Sequence, residues 1–102
     1  MKTKSFDEYL AKRLDKEEIR ELEQQAELEY KALYNLQKEV SSAFSEYISK
    51  EKIGFNEAVR RLNMSPTQVT KIQKGEANLT LASLAHIGAM LKKSPHIIFK
   101  SI

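Results

Sequence analysis

The sequence predicts an all-α protein, and three observations carry that expectation. Apolar residues recur at three- and four-residue steps over long stretches, Ser or Asp stands three residues ahead of Glu or Gln where helices should begin, and all three Gly and both Pro of the 102 residues fall at or after position 54.

Ser5 with Glu8 reads as a capping box that opens a short helix carrying Phe6, Leu10 and Leu14 on one face. Asp15 with Glu18 gives a second box. From there Ile19, Leu22, Ala26, Leu33, Leu36, Val40, Ala43 and Tyr47 keep alternating three- and four-residue steps, interrupted only at Glu29, beside Tyr30. Residues 16 to 51 are therefore one long helix or two abutting ones, with Tyr34-Asn35 the weakest point. Beyond Gly54 short helices alternate with turns. Phe55 to Leu62 is followed by Asn63-Met64, and then Ser65 as N-cap, Pro66 at the first helical position and Gln68 completing a box. Gly75 ends that helix, and Thr80 caps another whose apolar face is Leu81, Leu84, Ile87, Ala89, Met90 and Leu91, before Ser94-Pro95 stops it. The last segment, His96 to Ile102, is rich in β-branched and aromatic residues and reads as a terminal strand or a short helix.

Composition narrows the function classes. Hydrophobic residues make up 41% and charged residues 30%, mean hydropathy is −0.51, and no apolar run approaches the ~18 residues that would span a membrane. The first eight residues include acidic ones before any apolar stretch, which is not a secretory signal, so a cytoplasmic protein is expected. With no Cys there is no disulfide or thiolate metal site. The formal charge of +3 is unevenly placed: residues 1–50 carry nine Lys/Arg against eleven Asp/Glu, and residues 51–102 carry eight against three. A net of +5 in the second half is the field that attracts polyanions.

Residues 55–75 have the spacing of a helix-turn-helix. Ala58, Val59, Leu62, Val69 and Ile72 would bury the inner faces, leaving the polar start of the second helix, Ser65-Pro66-Thr67-Gln68, free to meet phosphates and base edges. Arg60, Arg61, Lys71, Lys74, Lys92 and Lys93 supply charge to displace counterions.

The run from Glu57 to Gly75, followed by Asn78-Leu79-Thr80-Leu81-Ala82-Ser83-Leu84, resembles the Cro/C1-type (XRE) helix-turn-helix family over about residues 38–95. Phe6-Asp7-Glu8-Tyr9-Leu10 resembles the opening of HigA-type antitoxins of that family. The resemblance implies a five-helix DNA-binding and dimerisation domain over 36–102 and an N-terminal helical extension over 1–35, and the C-terminal segment is expected to dimerise either as a short strand or as a packed helix. It implies base reading by Thr67, Gln68 and Lys71, and phosphate contacts by Ser65, Thr70, Lys74, Asn78 and Thr80. The sequence departs from the family pattern at Phe55, where a phosphate-binding Gln is common, at Asn63 in place of the turn Gly, at Pro66, and at Gln73 in place of Glu.

No enzyme is expected. The only Asp residues, Asp7 and Asp15, stand at helix starts, and Gly54, Gly75 and Gly88 are too scattered to cradle a nucleotide. His86 and His96 have no clustered ligands beside them. Neither catalytic residues nor a metal nor a cofactor is expected. The reading is of a homodimer on a palindromic double-stranded operator, joined through Met90, Leu91, Ile97, Ile98 and Phe99. The resemblance implies an antitoxin that neutralises a small, basic RelE/HigB-like toxin through Phe6, Leu10, Leu14, Ile19 and Leu22 and represses its own operon. A stand-alone phage-type repressor, whose extension is structural, is the alternative. A module whose basic half contacts an acidic protein is a third reading, distinguished by weak, salt-insensitive DNA binding.

Overall fold

The computed structural model describes residues 16–102, which form four α-helices with no strand among the described residues. They are α1 (Lys16–Glu51), α2 (Phe55–Leu62), α3 (Pro66–Lys74) and α4 (Leu81–Met90). The capping boxes at Ser5 and Asp15, and Phe6, Leu10 and Leu14, lie outside the described residues. The described residues fall into two units, divided between Leu33 and Tyr34.

α1 is one helix and does not break at Tyr34-Asn35. Nothing over its 36 residues removes a backbone donor or lowers helix propensity sharply, since it contains neither Pro nor Gly. In the first unit its side chains lie open, with Ile19, Leu22, Leu28, Tyr30 and Leu33 all exposed. Local pairs lace this stretch: Gln25 donates to Glu29 at 3.4 Å and Lys31 lies 3.7 Å from Glu27.

In the second unit the core consists of Phe44 from α1, Ala58 and Leu62 from α2, Val69 and Ile72 from α3, and Ile87 and Leu91 at the end of α4. Val40, Ala43, Tyr47, Ile48, Ile53, Val59, Met64, Ala77 and Leu79 pack around it. Of the five residues expected to bury the inner faces of the helix-turn-helix, four are core and Val59 is half-buried.

The expected five-helix domain with a terminal strand is corrected here. The second unit contains the α1 segment from Tyr34 together with α2, α3 and α4, and residues 93–102 hold no regular element. β-Branched composition favours a strand only where another strand is paired beside it, and the described residues provide none. α4 instead ends in a tight turn. Lys92 takes a left-handed φ of 61°, its N–H donates to the Ala89 carbonyl at 3.1 Å, and the Lys93 N–H donates to that of Gly88 at 2.8 Å. His86 ties α4 to α2, its Nε2–H donating to the Leu62 carbonyl at 2.8 Å, so that one of the last carbonyls of α2 is satisfied.

Candidate nucleic-acid interface

Short-range chemistry sets the junction between α2 and α3. Asn63 ends α2 in the left-handed region (φ 53°, ψ 47°), a conformation that Asn tolerates better than most residues. Its N–H donates to the Arg60 carbonyl at 3.2 Å. Two residues later Ser65 is extended and begins α3 with a complete capping box. The Gln68 N–H donates to Ser65 Oγ at 3.2 Å, and the Ser65 N–H donates to Gln68 Oε1 at 3.2 Å. Pro66 at the first helical position loses no bond there. Gly75 closes the helix at φ 73°, where any side chain would be strained.

Val69 and Ile72, at most 1% exposed, bolt α3 to the core. Its other side is open: Ser65, Pro66, Thr67, Gln68, Lys71, Gln73 and Lys74 are all exposed. Thr67, Lys71 and Lys74 lie one above another at i, i+4 and i+7, with Gln68 beside them. The three expected base readers thus share a single exposed surface. Among the expected phosphate contacts, Ser65, Lys74, Asn78 and Thr80 are exposed and Thr70 is half-buried. The Thr80 hydroxyl caps α4, accepting from the Ser83 N–H and donating to Ser83 Oγ, both at 3.0 Å, so its proton is already engaged.

Two residues that sequence reasoning did not single out hold this surface from behind. Ser41 Oγ donates to the Gln73 carbonyl at 2.8 Å, which satisfies one of the open carbonyls at the end of α3. Gln37 Nε2 donates to the Ala77 carbonyl at 3.0 Å and lies 3.4 Å from Asn78 Oδ1. Both reach from α1 across more than thirty residues of sequence, and on the sequence alone they are simply polar positions between apolar ones.

The cations expected to displace counterions are not equivalent. Arg60 pairs with Glu57. Arg61 bonds Glu57 at 3.0 Å, Glu51 at 2.9 Å and the Tyr47 hydroxyl at 3.2 Å, and Lys93 bonds Glu46 at 2.9 Å. Bonds from Arg60 and then Arg61 hold the Glu57 carboxyl below its ordinary range, and its bond to Arg60 raises that guanidinium in turn. Bonds to Tyr47, Glu57 and Glu51 hold the Arg61 proton more tightly still. The Lys93 bond lowers Glu46. Lys71, Lys74 and Lys92 have no acidic partner among the described residues, so they are the cations of the expected set that are not already neutralised within the chain.

The expected dimerisation set divides too. Leu91 is 4% exposed and belongs to the core of its own unit, because it follows Ile87 by one helical turn, its N–H donating to the Ile87 carbonyl at 2.9 Å, so it is not surface for a partner. Met90, Ile97, Ile98 and Phe99 are exposed, Phe99 by 95%. Of the expected partner-binding residues, Ile19 and Leu22 are exposed on α1. No family model matches the chain, and searches of curated proteins and of solved structures return no match.

Proposed function

We propose that this chain is a sequence-specific double-stranded DNA-binding protein that acts as a homodimeric repressor, with α3 as its recognition helix. One observation carries the reading: α3 is anchored by Val69 and Ile72 while Thr67, Gln68, Lys71 and Lys74 stand together in solvent, next to a capped helix start. A helix held this way offers its positive dipole end and the Thr67 N–H to phosphate, the other N–H groups of its first turn being taken by the cap or absent at Pro66, and side chains of the right length to a major groove. Two copies related by a two-fold axis would place their recognition helices about 34 Å apart on a palindrome. Met90, Ile97, Ile98 and Phe99 supply exposed apolar surface for that pairing. The test is selection from a random duplex library, followed by titration in 50 and 200 mM salt. An enriched palindrome whose affinity falls steeply with salt supports the reading, and weak binding insensitive to salt overturns it in favour of an acidic protein partner.

A second element of the reading is a protein partner, and the exposure of Ile19 and Leu22 on an acidic stretch of α1 favours it. Leu22 is 54% exposed although it sits in the apolar repeat, and Glu17, Glu18, Glu21 and Glu23 flank it. An apolar stripe with an acidic rim suits a small basic protein. With the operator-binding face, this is the arrangement of an antitoxin that represses its own operon. Affinity capture of the full chain from its native host, compared with the Ile19→Ser/Leu22→Ser variant, tests it. A stoichiometric small basic protein that the variant loses supports the antitoxin reading. Capture of the dimer and DNA alone leaves a stand-alone repressor.

A further inference from the structure

We propose that α3 reads guanine in preference to adenine at one position of each operator half-site, through the Nε2 amine of Gln68. The inference rests on the DNA-binding reading above and adds to it which edge is read and by which atom.

Gln68 is exposed, but half of its amide is already engaged. Its Oε1 accepts the Ser65 N–H at 3.2 Å. A backbone N–H can be satisfied only by an acceptor, so this bond decides which end of the amide is oxygen. Nε2 is left with no partner among the described residues. A second carboxamide, on the loop after α3, is placed in the same way: Asn78 Oδ1 faces Gln37 Nε2 at 3.4 Å, and its own amine has no partner among the described residues. Lys71 and Lys74 are donors only. Around Gln68 the free groups nearest its amine are therefore mostly donors, the Thr67 and Thr70 hydroxyls and the Gln73 carboxamide being the side chains that can also accept.

Base edges in the major groove respond to that inventory. Adenine is read by a Gln that accepts from N6 and donates to N7, and here Oε1 would have to accept from N6 with its second lone pair while the Ser65 N–H fixes its orientation. Guanine turns two acceptors, N7 and O6, to the groove, matching the two hydrogens of one amine. Thymine offers one acceptor beside a methyl group, and cytosine presents a donor to a donor. Guanine engages the free amine without calling on the capping oxygen, whereas adenine must either share Oε1 with the Ser65 N–H or open the capping box.

The experiment uses the full-length chain. An operator is selected from a random duplex library with the wild-type protein, and affinities for all single-base variants are measured with wild type, Gln68→Ala and Gln68→Glu. Gln68→Ala identifies the position, as the one whose base preference it relaxes. The expected base there is guanine, preferred about ten-fold over adenine, and replacing it by 7-deazaguanine, which lacks N7, weakens wild-type binding but not that of Gln68→Ala. Gln68→Glu keeps an oxygen for the Ser65 N–H and removes the donor, so it should keep the thermal midpoint while losing the guanine preference. Adenine at the relaxed position, or no position relaxed by Gln68→Ala, overturns the inference while DNA binding stands. Failure to enrich any sequence overturns the DNA-binding reading and this inference with it.

Discussion

Glu57 holds two guanidinium groups at once, and its carboxyl is lowered by the bond to Arg60 first and that to Arg61 second. A carboxyl whose folded-state value lies below the unfolded one stabilises the fold above the ordinary carboxylate range, and that contribution disappears as pH falls through the folded value. The thermal midpoint should therefore fall on acidification below the ordinary carboxylate range. Glu57→Gln should lower it at pH 7 and shrink its loss at low pH, and equal acid sensitivity of the two proteins would remove Glu57 from the account. Gly88 is constrained by space and not by backbone angle. A Cβ there would stand 2.5 Å from Pro95 Cδ and 2.8 Å from the Lys93 carbonyl oxygen. Ala gains about 1 kcal/mol of helix propensity over Gly, whereas forcing a methyl into filled space costs about 1–3 kcal/mol. Because one clashing group is backbone, the clash should prevail: Gly88→Ala lowers the denaturation midpoint, and a raised midpoint would show that the 93–95 segment moves aside without cost.

At the scale of elements, α3 was legible because everything that starts and stops it is local. Ser65, Pro66 and Gln68 lie within four residues, Gly75 follows, and the structure shows the same box and the same stop. Asn63 was legible for the same reason, its left-handed turn being a property of one residue. What failed depends on partners distant in sequence. The C-terminal strand needed a neighbour to pair with, whereas the burial of Leu91 follows from a local spacing, one helical turn after Ile87, that separates it from the exposed Met90 beside it. The pairing of Arg60 and Arg61 was half visible, since Glu57 is one helical turn away, but the bonds from Arg61 to Glu51 and Tyr47 cross from α2 to α1. Gln37 shows the same limit, joining α1 to the loop after α3. Its bond to the Ala77 carbonyl should contribute about 0.5–1.5 kcal/mol. Gln37→Ala is expected to lower stability by about that amount in denaturant titration, with an unchanged slope, and to weaken operator binding by unseating Asn78. Unchanged affinity would leave Gln37 with a purely structural role.

For the whole molecule, the decisive quantity is charge that remains available, which net charge does not report. The half of the chain from residue 51 onward carries eight cations against three acids, yet Arg60, Arg61 and Lys93 are already neutralised within the fold. A cation that keeps its carboxylate on meeting DNA releases no counterion, whereas an unpaired lysine on phosphate steepens the dependence of affinity on salt by close to one unit per contact. Lys74→Ala should accordingly weaken binding to operator and random duplex alike and flatten the slope of log affinity against log salt by about one per protomer. Arg60→Ala should leave that slope nearly unchanged, because Glu57 holds the group it removes. Titration of both variants between 50 and 300 mM salt separates the possibilities. If Arg60→Ala flattens the slope as much as Lys74→Ala does, the ion pair opens in the complex, and the DNA lies across α2 as well as α3.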